Sequence, residues 1–417
     1  MSAPRVTPRH ALLHLQEFSL SVANPRVGVA AAIVLGILLT PLLWLVGRAR
    51  RSAKQPWVIG GHRGRMLEDN SGALYDWITT HTQQPILWVA DRSLAEHLQG
   101  EGKPALVRSS WRARLAIFSA PVLVYSHGDD DLDPIMHLWR GLTGQRYYLN
   151  HSLNVFKAGN AHTPEYQGAG ALKRWWLRRA MTDFDVLLAS SPFEAQLFHL
   201  AFPHLAQRVL PRGGGAHLDG FMRLCHTPPA RHVYWFPTHR DDDAGNAALQ
   251  KTMQDILANE TLREWLLKNQ FTFRIGTHIN TGDHHLSVQP PFERRTPVTI
   301  KADLAAADVL ISDYSGLIAN FMVFDRPAIA FPFDREHYLR HRFLYTPIED
   351  IATGPICMNV HELVHTLKNG DWHDNDTSRA KRADWQKKLF VHHTPVYAQE
   401  CYRTICRLQG VATQERS

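Results

Sequence analysis

Cysteine is scarce and scattered: Cys225, Cys357, Cys401 and Cys406 are the four in 417 residues. None forms a Cys-x-x-Cys pair, so a disulfide framework, a zinc ribbon and a thioredoxin-type site are excluded, and reduced thiols are expected. The chain has no Gly-Lys-Ser/Thr, so Gly213-Gly214-Gly215 is not a P-loop. Gly60-Gly61-His62-Arg63-Gly64 lacks the spacing and the downstream acid of a dinucleotide fingerprint. With no Gly-x-Ser-x-Gly, a hydrolase triad has no foothold. Repeats and low-complexity stretches are also missing. Acidic residues are almost absent from the N-terminus, where residues 1–54 hold seven Lys and Arg against Glu17 alone. That segment carries six of the seven net positive charges and leaves +1 for the remainder. The pI near 9.3 therefore belongs to the tail, and no nucleic-acid partner is expected.

What the tail does contain is an apolar run. Residues 27–46 read VGVAAAIVLGILLTPLLWLV, twenty positions without a charge. At helical rise this spans roughly 30 Å, the thickness of a bilayer's hydrocarbon layer. Arg48, Arg50, Arg51 and Lys54 follow at once and favour a cytoplasmic C-terminal side. The run begins too late, and ends in arginines rather than small residues, for a cleaved signal peptide. The expectation is a single-pass membrane anchor with the rest of the chain on the cytoplasmic face; a buried core helix is the competing reading.

The body alternates short apolar runs with helical patterns. Strands are expected at 86–90, 121–126, 185–190, 232–236, 271–275, 308–312 and 328–333. Helices are expected at 73–80, 171–181, 247–259 and 361–368, with 379–408 helical throughout. Such alternation predicts an α/β fold with parallel sheets and crossover helices. Residues 212–231, with three glycines and Pro228-Pro229, read as a hinge. The predicted organisation is a tail and anchor over 1–54, doubly wound domains over 55–225 and 226–385, and a helix over 386–417 docking back. Two Rossmann-like domains of this kind would hold a ligand in the cleft between them.

Four segments carry candidate chemistry. The run 307–311 leads into Ser312-Asp313-Tyr314-Ser315-Gly316, where Ser315 suits a helix N-cap whose free N–H groups attract phosphate. Equally, Ser315 is only a cap and Asp313 only fixes the turn. His151 follows an apolar run, with Lys157 six residues on; the pair suits a base and a phosphate counter-charge. With 25 histidines in the chain, a structural or surface role is open for any one of them. Trp235-Phe236-Pro237-Thr238-His239-Arg240 runs into three aspartates; Arg240 offers a bidentate fork for a diphosphate. The acids 241–243 and 129–131 read as solvated turns, and no protein-bound metal or other cofactor is expected. His278 closes Phe273-Arg274-Ile275-Gly276-Thr277, and His284-His285 has no third ligand at a recognisable spacing.

In order along residues 60–370, these segments resemble the CDP-glycerol glycerophosphotransferase family, the enzymes that build or prime teichoic-acid-type polymers. The resemblance rests on Asp308–Ser315, Phe324-Asp325-Arg326-Pro327, Phe333-Asp334, Tyr338 and Gly354-Pro355-Ile356. It is supported by Pro237–Asp241, by His278 after an Arg-bearing strand, and by Leu149–Gly159. Departures are Asn150-His151-Ser152 where the family has Trp-His-Gly, Gly316 for the second serine of Asp-Tyr-Ser-Ser, and Pro211-Arg212-Gly213-Gly214 for Pro-Arg-Asn-Asp. The resemblance implies a GT-B-like pair of Rossmann domains transferring glycerol phosphate from CDP-glycerol to a hydroxyl, on a lipid-linked or polymeric glycan, with release of CMP. It implies His151 as base, and His278, Arg240, Thr238, Ser312, Ser315 and Gly316 around the donor. Asp313 orients a histidine or the cap, and Lys157 serves the acceptor. The alternative is a GT-B glycosyltransferase with a nucleotide-sugar donor.

Overall fold

The computed structural model describes residues 25–159, 162–181, 183–240, 242–276, 288–296 and 299–416, with backbone only at 25–33, 35, 176 and 179–181. Among the described residues twelve strands form two sheets. The first set is β1 (Trp57–Gly60), β2 (Ile86–Ala90), β3 (Ala105–Val107), β4 (Val122–Tyr125), β5 (Gln145–Tyr148), β6 (Val186–Leu188) and β7 (Val209–Leu210). Their order in the sheet is β3-β2-β1-β4-β5-β6-β7. The second set is β8 (His232–Phe236), β9 (Thr272–Gly276), β10 (Phe292–Arg295), β11 (Ala307–Ser312) and β12 (Ala328–Ala330), ordered β10-β9-β8-β11-β12.

Neighbouring strands of the second sheet all run parallel, β8 lying between β9 and β11. Parallel strands are covered on both faces, and this is why they read as unbroken apolar runs. Along β8 and β11 the side chains alternate between two cores. Val233, Trp235, Val309 and Ile311 enter one; Tyr234, Phe236 and Leu310 enter the other. Crossover helices are set by side-chain caps: the Asp242 carboxylate accepts the Gly245 N–H ahead of the helix Asp243–Leu257, and Asn359 accepts Glu362 N–H ahead of Val360–Asn369.

Two compact units emerge. One comprises Met1–His151, Thr182–Leu187 and Tyr402–Ser417; the other comprises Ser152–Met181 and Leu188–Cys401. This division differs from a single break near residue 225. The C-terminus belongs to the first unit: the Tyr402 ring sits 5.5 Å from both Trp57 and Trp77, and Gln409 donates to Tyr147. The expected helix over 379–408 is two helices, Asp376–Leu389 and Tyr397–Gln409, separated at Pro395, whose ring cannot continue a helix.

In the first unit the apolar tail segment forms the helix Pro25–Arg50. Gly36 and Gly47 face the helix Trp111–Ser119 so closely that a Cβ would meet the Arg114 guanidinium or Phe118. Trp139 donates its indole N–H to the Thr40 hydroxyl at 2.9 Å. Arg51 then donates to the Phe118, Leu142 and Thr143 carbonyls. Val34, Ile37, Leu38, Leu42 and Leu45 remain exposed on the same helix. Counting only residues whose side chains are described, no helix is long and apolar enough to cross a membrane.

Candidate functional site

Two constellations form at the C-terminal ends of the parallel strands, one in each unit. In the second unit the turn after β8 and the turn after β11 are tied by one buried arginine. Arg240 donates Nε and Nη2 to the two Asp334 oxygens, both at 2.7 Å, and Nη2 also to Asp313 Oδ2 at 2.8 Å. Its Nη1 donates to the Thr238 carbonyl. Arg240 is 2% exposed and Asp313 fully buried. Burial alone pulls the guanidinium pKa down; the charges and hydrogen bonds of Asp313 and Asp334 outweigh it and hold it above the ordinary value. The Tyr314 and Tyr338 rings stack 3.8 Å apart beside it, with the guanidinium 5.0 Å above Tyr338.

This geometry revises several sequence assignments. Arg240, expected to fork onto a diphosphate, instead serves two carboxylates and a carbonyl, because its short loop points inward between them. Asp313 accepts from the Thr238 N–H at 2.8 Å, the Thr238 hydroxyl, the Tyr314 N–H and Arg240. Among the described residues none of those partners is a histidine, and through them Asp313 fixes the turn. The Ser312 hydroxyl is buried and donates to the Phe236 carbonyl at 2.9 Å, which turns it away from any donor. Asp334 was missed; its signal was Phe333-Asp334 in the family pattern, but its partner lies 94 residues away.

Ser315 and Gly316 are half-buried at the start of the five-residue helix Leu317–Phe321. The Ser315 hydroxyl accepts the Leu317 N–H at 3.2 Å, and Gly316 is the capping residue. Gly316 has an ordinary φ of −59°, yet a Cβ there would lie 2.5 Å from the Leu153 carbonyl oxygen and 3.3 Å from Ser152 Oγ. Two of the departures from the family pattern, Ser152 and Gly316, thus meet at one close approach. Lys157 donates to the Tyr338 hydroxyl at 2.8 Å. His278 lies outside the described residues.

In the first unit His151 is exposed and stacks on His127, with centroids 4.7 Å apart and planes 19° apart. Behind it Asp69 Oδ2 faces His62 Nε2 at 2.5 Å and His127 Nε2 at 3.4 Å. Burial would raise Asp69, but the hydrogen bond and charge of His62 hold it well below the usual carboxylate range. His62 is raised: burial opposes its charge, and Asp69 more than compensates. Burial, and then the neighbouring His151, pull His127 down to about 2. Asp131, expected in a solvated turn, is fully buried and accepts the Arg63, His127 and Ser126 N–H groups at 2.7, 2.8 and 3.1 Å. It holds the loops after β1 and β4 together. His62 and His127 were invisible in the sequence as partners, because only the parallel pairing of β1 with β4 brings those loops side by side.

One ring nitrogen or carboxylate oxygen each from His62, Asp69 and His127 lie within 4.8 Å of one another, as do those of Asp242, His337 and His341. The first trio is poorly set for a metal. The His62 backbone N–H donates to His127 Nδ1 at 3.3 Å, which leaves the ring proton on Nε2, the nitrogen facing Asp69. It is a carboxylate bridging two imidazoles, beside a third.

Residues 223–406, which include Arg240, Asp313, Ser315 and Asp334, match the model of CDP-Glycerol:Poly(glycerophosphate) glycerophosphotransferases. The chain is 22% identical over 348 residues to the teichoic acid glycerol-phosphate transferase of Staphylococcus aureus, covering 78% of this chain and 86% of that protein. It is 38% identical over 219 residues to the teichoic acid ribitol-phosphate primase of Bacillus spizizenii, covering 48% and 53%. The solved wall teichoic acid polymerase TagF superposes with a TM-score of 0.66 at 16% identity, over 90% of this chain and 95% of that one. The fold is therefore TagF-like α/β with parallel sheets, and residues 223–406 match the CDP-glycerol:poly(glycerophosphate) glycerophosphotransferase model.

Proposed function

We propose that the chain transfers glycerol phosphate, or a related polyol phosphate, from a CDP-activated donor to a hydroxyl of a membrane-linked or polymeric glycan, releasing CMP. The observation that carries this is that the family-matched residues coincide with the Arg240–Asp313–Asp334 tie. That tie fixes the Thr238 and Ser315 turns at the strand ends where parallel α/β sheets bind ligands. A TagF structure soaked with CDPG shares the fold, which supports the same donor.

In the reaction the acceptor oxygen attacks the phosphorus that bears glycerol. The new P–O bond forms as the anhydride bond breaks, and the CMP phosphate leaves with the electron pair. His151 takes the hydroxyl proton, and the imidazolium so formed lies near the ionised Asp69. Backbone N–H groups near Thr238 and Ser315-Gly316, with His278, neutralise the donor diphosphate. Lys157 and Tyr338 face the acceptor's phosphate. Arg240 and Asp313 are positioning residues that hold those turns. The two units are the Rossmann-like halves of a GT-B-like enzyme, with the donor on the second.

Purified chain with CDP-glycerol and a glycan acceptor should release CMP, and His151→Ala should lower the rate by about 100-fold or more. Retained turnover in His151→Ala would remove the base assignment. Release of UDP or GDP from a nucleotide-sugar, with CDP-glycerol inert, would establish the glycosyltransferase alternative.

The apolar run 27–46 is proposed as a single-pass membrane attachment with both units on the cytoplasmic face. The exposed stripe Val34, Ile37, Leu38, Leu42 and Leu45, ending at Arg48 and Arg50, supports it. Flotation with anionic vesicles should carry the chain, and equal flotation of a Leu38→Asp/Leu42→Asp variant would count against it.

A further inference from the structure

The second His/Asp trio differs from the first at one ring, that of His341. His337 and His341 sit one turn apart on the helix Arg335–His341, their rings 4.6 Å apart. His341 Nδ1 lies 3.0 Å from the His337 carbonyl oxygen. A carbonyl only accepts, so Nδ1 carries the proton and Nε2 keeps its lone pair. That Nε2 has no hydrogen-bond partner among the described residues. His337 Nε2 faces both Asp242 oxygens, at 2.9 and 3.1 Å. Asp242 Oδ1 also accepts the Gly245 N–H at 2.9 Å. Two imidazoles and one carboxylate, with ligand atoms within 4.8 Å, form a three-ligand set that leaves one position for water.

We propose that Asp242, His337 and His341 bind one transition-metal ion of the zinc class. Two nitrogen donors exclude magnesium and calcium, which demand oxygen ligands. Binding would replace the hydrogen bond that His337 Nε2 now makes with Asp242. The site's position gives it a consequence. Asp242 begins the helix that follows the Arg240 turn, and the histidine helix begins directly after Asp334. A metal would therefore clamp together the two segments that supply Arg240 and one of its carboxylates. It would act as a fastening of the second unit rather than as a participant in phosphate chemistry. This inference stands independently of the proposed reaction.

The test is a cobalt titration of the full-length chain after chelator treatment. One equivalent of Co²⁺ should develop the visible absorption of a tetrahedral site and be displaced by Zn²⁺. His341→Ala and Asp242→Asn should each weaken binding by about tenfold or more. The Asp242→Asn variant keeps a good helix cap, so its fold is retained and the loss is attributable to the ligand. His127→Gln, in the first trio, should bind cobalt as the parent does. Absence of stoichiometric binding would overturn the proposal. So would binding that survives both second-unit variants, or that is lost in His127→Gln.

Discussion

Replacing Arg240 by alanine would leave two carboxylates in a site built for one guanidinium between them. Asp313 has no side-chain exposure and Asp334 only 4%, so neither can recover its hydration where it stands. Arg240 also makes four hydrogen bonds, three of them to charged oxygens. Removing one partner of a buried ion pair typically costs about 3–5 kcal/mol, mostly as the uncompensated charge left behind. At roughly 2–4 °C per kcal/mol for a domain of this size, Tm should fall by about 6–20 °C in scanning calorimetry. Arg240→Lys keeps the charge but not the fork, and should fall in between. An Arg240→Ala variant within about 1 kcal/mol of the parent would refute the view that this arginine holds the two turns together.

Two other outcomes follow. Gly316→Ser, which restores the residue usual in the family, places a Cβ 2.5 Å from a backbone oxygen and should destabilise by about 1–3 kcal/mol in denaturant unfolding; an unchanged midpoint would show that the 152–153 segment yields freely. Burial, and then His151, hold His127 down at about 2 against the ordinary 6.5, so its contribution is present above pH 6.5 and lost as pH falls toward 2. His127→Gln should therefore flatten the acid limb of the stability curve between pH 6 and 4, and an identical limb would show that His127 is not held neutral.

Much of the second sheet could be read directly from residue order. β8 matches the run 232–236, and β11 differs from 308–312 by one residue, because buried parallel strands are apolar at every position. β10 was not legible: Phe292-Glu293-Arg294-Arg295 has no apolar periodicity and lies at the sheet edge, where Glu293 pairs with Arg274 and Arg295 with Asp303. β3 and β7 are too short to leave a pattern. At the site, residue types marked the right turns but not the direction in which side chains point. Arg240 and Ser312 sit where a phosphate contact was expected and both face inward. The Asp69 cluster depends on three loops that meet only after β1 and β4 have paired, so no spacing in the chain announces it.

The way the N-terminal helix sits on its neighbour changes what shortening the chain would do. A fragment starting at residue 55 would shed more than a tether. It would strip the cover from Phe118, leave the Trp139 indole N–H without its acceptor and free the carbonyls of Phe118, Leu142 and Thr143 that Arg51 now gathers. Solubility gained by deleting the greasy segment would be offset by a newly bared flank on the first unit, and such a fragment should self-associate. Exchanging the exposed leucines for polar residues, with the glycine-lined face kept, is the gentler route to a tractable protein.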